Sequence, residues 1–423
     1  MKVLGLITEY NPFHNGHLHH LNESKVLTGC THTVAVMSGN FLQRGEPALI
    51  HKWERAKMAI QSGVDLVVEL PTPYACATAE LFAFGSVSLL HSMGVVNSLC
   101  FGSEYGKILL LEVIAEVLLL SPTEFKILLK GYLKEGLSFP SARSKALVDY
   151  LTIDTCFKLK SSDLQTIETI MNSPNNILAI EYMKVLKKLN SPILPYTIPR
   201  VQAAYHSTDL NGRIASATAI REHLHNKKDL KELKNVMPPS SFRILKKGIE
   251  GKIAPIFKED FEKTILTLLR RESKEGLSLY FDITEGLENK ILQCSNSCNS
   301  LTELYHCVKS KRYTLTRLQR ICMHVLLNLK KTDIIDFTLH GGPQYLRILA
   351  LNNKGREILK KCKSKSTIPI INKINQYHPQ NELAKKMLAT DIRATNLYAL
   401  AMNPDDYAAG PLDFYISPYY EEI

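Results

Sequence analysis

Val3-Leu4-Gly5-Leu6-Ile7-Thr8-Glu9-Tyr10-Asn11-Pro12-Phe13-His14-Asn15-Gly16-His17-Leu18 runs from an apolar segment straight into a turn built around His14-x-Gly16-His17. The apolar residues Val3–Ile7 read as a strand, Asn11-Pro12 as the turn, and Gly16 as the start of a helix. A strand-to-helix junction in an α/β fold is a natural anion site, because free helix N–H groups and the helix dipole both face the ligand. Gly16 lets backbone approach a phosphate closely. His14 and His17 can donate hydrogen bonds to phosphate oxygens and offset charge as it builds there. The segment therefore points to an enzyme acting on the phosphates of ATP. Two readings compete with it. The chain has 14 histidines, so a pair three residues apart can arise by chance. A zinc site would need a third ligand that the segment lacks, and the helical metalloprotease pattern has a different spacing.

Working outward, strand and helix signals alternate through the first hundred residues. A helix is expected over Gly16–Thr28, a second strand over Thr33–Met37, a helix over Lys52–Ser62 and a third strand over Asp65–Leu70. A helix over Ala77–Ser92 and a fourth strand over Ser98–Phe101 follow. Continuous apolar strands separated by helices predict a parallel sheet covered on both faces, an α/β fold of Rossmann-like type. Ligands of such sheets bind at the carboxyl ends of the strands. The loops holding His14, Ser38–Arg44 and Gly102–Glu104 all fall at that edge. From about 108 to 163 the pattern is helical and reads as an insertion. Pro174-Asn175-Asn176 opens a further helix over Ile177–Leu189, with Asn175 or Asn176 as its cap. Tyr196–Arg200 reads as a late strand, His206–Arg213 as a polar loop and Ala215–His225 as a helix.

The 423 residues predict more than one domain and an ample core. Hydrophobic content of 45% and charged content of 22% are those of a globular protein. No run approaches the ~20 apolar residues of a membrane span, and the first residues lack the pattern of a signal peptide, so a cytoplasmic protein is expected. The nine cysteines are scattered. Cys294-x-x-x-Cys298, with His306 and Cys307 nearby, matches no common metal finger, which favours reduced thiols. Residues 1–105 hold six Lys/Arg against eight Asp/Glu, so the net charge of +11 is carried by the remainder. Beyond about residue 226 the chain reads as mainly helical and basic, with clusters at Lys227-Lys228, Lys246-Lys247, Arg270-Arg271, Lys309–Arg312, Lys330-Lys331 and Lys360–Lys365. A near-neutral catalytic domain over 1–225 joined to a basic polyanion-binding domain over 226–423 accounts for this asymmetry. A merely lysine-rich surface is the alternative.

The second informative segment is Ile214-Ala215-Ser216-Ala217-Thr218-Ala219-Ile220-Arg221. Ser216 and Thr218 before or at a helix start present hydroxyls and N–H groups to an anion, and Arg221 lies one turn inside to clamp a phosphate. An ordinary Ser/Thr cap with a solvated arginine would look the same in isolation. The pairing with His14-x-Gly16-His17 favours the phosphate reading.

Together these segments resemble the nucleotidyltransferase and class I synthetase superfamily, with its HxGH motif and a late ISSTxxR-like loop. The resemblance narrows further. Gly5–Leu18, Met37-Ser38-Gly39-Asn40-Phe41-Leu42-Gln43-Arg44-Gly45-Glu46-Pro47-Ala48, Ser173–Leu178, Ile214–Arg221 and Lys311-Arg312-Tyr313-Thr314-x-Thr316-Arg317-Leu318-Gln319-Arg320 are similar to the bacterial tRNA(Met) cytidine acetate ligase family along the whole chain. The resemblance implies activation of acetate by ATP as acetyl-adenylate, with pyrophosphate released. The acetyl group then passes to the exocyclic amine of the wobble cytidine of elongator tRNA(Met). His14, His17 and Arg221 would be catalytic, with magnesium assisting. The family's ATP segment carries over onto Ile7, Thr8, Glu9, Tyr10, Asn11, Pro12, Phe13, His14, Asn15, Gly16, His17, Leu18, His19 and His20. Gly102, Arg200 and one asparagine of Pro174-Asn175-Asn176, preferably Asn175, complete it, beside Ser216 and Thr218. Ser38, Asn40, Gln43 and Arg44 are expected to recognise acetate or cytidine, or else to brace their own loop. Lys52 and Arg55 are expected to face RNA or solvent, and Arg312, Arg317 and Arg320 to contact tRNA. Two departures from the family pattern are Ala179, where glycine is usual, and Pro199 before Arg200. The competing functions are a nucleotidyltransferase that adenylylates a small phosphate ester, which leaves the basic half unexplained, and a non-catalytic RNA-binding protein, which leaves the intact motifs unexplained.

Overall fold

The computed structural model describes residues 1–153, 157, 159–200, 212–226, 229–284, 286–310, 312–402 and 411–422. The loop at 206–211, Lys227, Lys228, Lys311 and the start of the tail at 403–410 lie outside them. Five parallel strands form the centre: β1 (Val3–Thr8), β2 (His32–Ser38), β3 (Leu66–Leu70), β4 (Ser98–Ser103) and β5 (Leu194–Pro199), in the order β5-β4-β1-β2-β3. Each sits within a residue or two of its expected position. The reason is the uninterrupted apolar character that strands buried on both faces require. Side chains alternate between the two faces. Leu4, Leu6 and Met37 enter one core, and Val3, Val34 and Val36 the other.

The chain goes from β1 to β2 on one side and later places β4 on the other side of β1. The switch point is therefore the crevice at the carboxyl ends of β1 and β4, where ligands of open α/β sheets bind. The helix α1 (Asn15–Thr28) leaves this edge directly after β1, and α2 (Lys52–Gln61) follows β2. The expected insertion is a run of helices at Ile108–Leu120, Thr123–Lys134 and Phe139–Ile153.

Three differences from the expected plan stand out. The sheet is mixed: β6 (Leu346–Asn352) pairs antiparallel with β3, and β7 (Ile370–Ile371) and β8 (Tyr419–Glu421) pair with β6. The sheet thus draws strands from both sides of residue 225, and one core runs from Leu4 and Leu6 through Ile265, Leu269, Leu318 and Leu326. The seven residues of β6, Leu-Arg-Ile-Leu-Ala-Leu-Asn, lie in a helical, basic region and give no hint of which strand they will pair with. Second, Ser173 rather than an asparagine stands at the N-cap position of the helix at Pro174–Lys188, because Pro174 occupies the first helical turn, and its side chain makes no capping bond. Third, Cys294 and Cys307 form a disulfide, correcting the expectation of reduced thiols. The consecutive helices Leu287–Ser297 and Leu301–Val308 bring their Cα atoms to 5.9 Å. Among the described residues no helix is long and apolar enough to cross a membrane.

Candidate active site at the carboxyl edge of the sheet

His14 is the N-cap of α1. Its Nδ1 accepts the Gly16 N–H at 3.0 Å, and its own backbone N–H donates to His17 Nδ1 at 3.3 Å. The two rings stack with centroids 3.8 Å apart. Because both Nδ1 atoms accept, the proton of each neutral imidazole sits on Nε2, which leaves two N–H donors side by side. Both rings stay neutral. Burial, with Arg200 and Arg221 nearby, pushes His14 down to about 3. Burial and the neighbouring His14 hold His17 well below its ordinary value. A Cβ on Gly16 would lie 2.8 Å from His14 Cε1, so only glycine allows this ring to fold over the helix start. Tyr10, Asn11, Pro12 and Phe13 are buried and anchor the turn, and Leu18 packs against the core. Ile7, Thr8, Asn15, His19 and His20 are half-buried around it.

The late motif does arrive here. Ser216 caps the helix Ala217–His225 through its Oγ, which accepts the Ala219 N–H at 3.0 Å. Arg221 donates to the Asn11 carbonyl at 3.0 Å and pairs with Glu46 at 2.9 Å. It also reaches Thr218 Oγ1 at 3.4 Å, and Thr218 itself is exposed. Asn15 fixes the same junction from the other side, donating to the Arg213 and Asn235 carbonyls at 2.8 and 3.0 Å.

Across the crevice, Gly102 at the end of β4 faces Arg200 and His20. Burial, with Arg200 beside it, lowers His20 to about 4, and its Nε2 is buried without a partner. Arg200 donates to Asn175 Oδ1 at 2.9 Å. Glu104 accepts from the Asn175 side chain at 2.6 Å and from the Asn176 backbone at 2.8 Å, and so does the capping expected of the asparagines. Asn176 is buried and accepts from the Tyr105 N–H at 3.0 Å, whereas Asn175 is half-exposed on the Arg200 side. The crevice is thus lined by neutral imidazole donors, guanidinium groups and two helix N-termini, a set suited to a polyphosphate.

The loop after β2 divides. Ser38 and Asn40 are buried, and Asn40 Oδ1 accepts the Lys52 N–H at 2.8 Å. Gln43 donates its backbone N–H to Glu9 Oε1 at 2.8 Å, and Arg44 is exposed. Lys52 and Arg55 face neither RNA nor solvent, which corrects the expectation, since both are fully buried. Lys52 pairs with Glu69 at 2.8 Å and Asp413 at 2.9 Å, while Arg55 donates to the carbonyls of Glu9, Ser38, Gly39 and Ile50.

The sequence profile described as HIGH Nucleotidyl Transferase matches residues 1–410. The tRNA(Met) cytidine acetate ligase of Alkaliphilus metalliredigens is 54% identical, over 100% of this chain and 99% of its own length. That of Clostridium perfringens is 47% identical, over 98% of this chain and all of its own. The crystal structure of Thermotoga maritima TmcAL bound with alpha-thio ATP superposes over 100% of both chains with a TM-score of 0.91 at 35% identity. The chain belongs to the tRNA(Met) cytidine acetate ligase family.

In this family member the three arginines expected to meet tRNA have different environments. Arg312 is exposed. Arg317 spends its guanidinium on the Asp282 carbonyl and on Thr284 Oγ1 at 2.7 Å, and Arg320 pairs with the Asp282 carboxylate at 3.2 Å with only 11% of its side chain exposed. The helix Leu315–Leu327 docks on the turn around Asp282, and that turn consumes the charges one helical step apart. Glu46, Glu104 and the buried group of Lys52, Glu69, Arg347 and Asp413 did not emerge from the sequence as interacting residues. Each works through a partner 66 or more residues away, apart from Lys52 and Glu69, which lie 17 apart.

Proposed function

We propose that this protein activates acetate with ATP and transfers the acetyl group to the exocyclic amine of the wobble cytidine of elongator tRNA(Met), forming N4-acetylcytidine. An acetate oxygen attacks the α-phosphorus, the bond to the β-phosphate breaks, and pyrophosphate leaves. Negative charge grows on the α-phosphoryl and pyrophosphate oxygens. The paired Nε2–H donors of His14 and His17, the start of α1, Arg200 and Arg221 are fixed beforehand to meet that charge, where one positioned donor is worth about 10²–10³ in rate. Because the imidazoles are neutral, the cationic charge comes from the arginines. Gly102, Asn175, Ser216 and Thr218 complete the nucleotide site in this reading. Gln43 and Arg44 are the accessible candidates for acetate or cytidine, with Ser38 and Asn40 supporting them from below.

Among the described residues no group of three or more His, Cys, Asp or Glu side chains is arranged to hold a metal. Magnesium, when bound with ATP, would offset charge on the phosphate oxygens. The basic surface of residues 226–423 carries the tRNA, with Arg312 as its exposed contact, and a cytoplasmic location follows from that substrate. The observation that supports the reading most is the Arg221 hydrogen bond to Asn11, which seats the late motif on the HxGH turn. Acetate-dependent exchange of labelled pyrophosphate into ATP tests it. Wild-type protein is expected to exchange only with acetate present, and Arg221→Ala to lower the rate at least 100-fold. Exchange that ignores acetate but responds to a phosphate ester would sink the reading.

A further inference from the structure

The groups that face the phosphates in this reading, His14, His17, Arg200 and Arg221, donate hydrogen bonds or carry positive charge. That suits ATP but not the second half of the reaction. The exocyclic amine of cytidine is a donor, and it must lose a proton as it becomes an amide. Among the described residues, Glu9, Glu46 and Glu104 bring carboxylates to the crevice of β1 and β4. Glu46 is held by Arg221 at 2.9 Å, and Glu104 is occupied by the N–H groups of Asn175 and Asn176. Glu9 is different. It directly follows β1, at the switch point, and is half-buried. Its Oε1 accepts the Gln43 N–H at 2.8 Å, which fixes the carboxylate against the loop of Gln43 and Arg44. Its Oε2 has no partner among the described residues.

We propose that Glu9 binds the amine of the target cytidine and takes its proton during acetyl transfer. The assignment rests on the acetate-ligase reading above. The N4 lone pair attacks the acetyl carbon of acetyl-adenylate and a C–N bond forms. The C–O bond to the phosphate breaks, AMP leaves with the electron pair, and the N4 proton passes to Glu9 Oε2 and then to water. A carboxylate accepting from cytosine N4 is also the pairing that distinguishes cytosine from uracil, whose O4 is an acceptor.

The charged and titratable groups facing Glu9 are Arg44 and Glu46 on the loop after β2, Arg221 on the late helix, Arg55 on α2, and Tyr182 and Cys76 on the buried side. Burial outweighs the lowering by the Gln43 N–H and the arginines and raises the carboxyl above its ordinary value. Transfer is therefore expected to fall as pH drops through an acid limb lying above the ordinary glutamate value.

The test separates the half-reactions in full-length enzyme: pyrophosphate exchange for adenylate formation, and single-turnover transfer from pre-formed acetyl-adenylate to tRNA. Glu9→Gln is expected to slow transfer about 100-fold or more, the range of general-base catalysis, with a smaller fold-loss in exchange, and to erase the acid limb of transfer. Glu9→Asp should restore part of the transfer rate and the limb, which a purely structural role would not do. Equal loss of both half-reactions in Glu9→Gln, or an acid limb that survives the substitution, overturns the assignment alone. Wild-type enzyme that forms the adenylate but never acetylates cytidine overturns the acetate-ligase reading and the assignment with it.

Discussion

His14, His17 and His20 line the carboxyl edge of the sheet as uncharged rings, and that state has a measurable cost. In the unfolded chain each imidazole takes up a proton near its ordinary pKa of about 6.5, whereas in the folded protein His14 and His51, the buried N-cap of α2, resist protonation down to about 3 and His20 down to about 4. The unfolded state therefore binds more protons below about pH 6.5. The stability these residues contribute is fully present above that pH and is lost as pH falls, by up to about 1.4 kcal/mol per pH unit for each ring. A urea midpoint that drops between pH 7.5 and 5.5, and drops less steeply in His51→Phe, is the expected result. A midpoint unchanged over that range would show that the rings charge freely. At this scale the sequence was informative wherever chemistry is local. The turn from Glu9 to Leu18 carries its own strand, bend, cap and donors. The partners of Arg221, Arg320 and Lys52 were not legible, because one guanidinium or ammonium in a sequence looks the same whether it meets solvent or a distant carboxylate.

The elements were legible in proportion to their periodicity. β1 to β4 and their helices could be placed from apolar runs and bounding turns, and β5 with the helix Ala217–His225 from shorter ones. β6 escaped because its seven residues sit among helices and pair antiparallel with a strand some 280 residues earlier. What binds β6 in place is the buried ion group at its start. Arg347 lies between Glu69 of β3 at 3.1 Å and Asp413 at 2.6 Å, and Lys52 of α2 bridges the same two carboxylates. Removing one member strands the others as buried charge, which costs about 3–5 kcal/mol. Asp413→Ala is accordingly expected to lower stability by that amount in denaturant titration, although residue 413 is remote from the catalytic edge in sequence. A loss below about 1 kcal/mol would mean that the group is solvated.

The molecule as a whole joins its two halves more tightly than composition suggests. The charge asymmetry placed a basic polyanion-binding half after residue 225, yet β6, β7 and β8 complete the sheet that begins at residue 3. The core under Leu4 and Leu6 continues into the C-terminal helices. A fragment ending at residue 225 would leave the β3 edge unpaired and one sheet face bare to water, so it should aggregate or remain unfolded by circular dichroism and gel filtration. A folded, monomeric fragment would refute this. Such integration suits an enzyme that must hold an RNA and a reactive adenylate at once.

The most direct test of the account is chemical. The protein is incubated with labelled acetate, ATP and total bacterial tRNA, and the RNA is digested to nucleosides. Label in N4-acetylcytidine with wild-type protein, falling at least 100-fold in His14→Ala while the fold is kept, is the predicted result. Label that appears in no nucleoside, or that survives loss of the His14 imidazole undiminished, would contradict it.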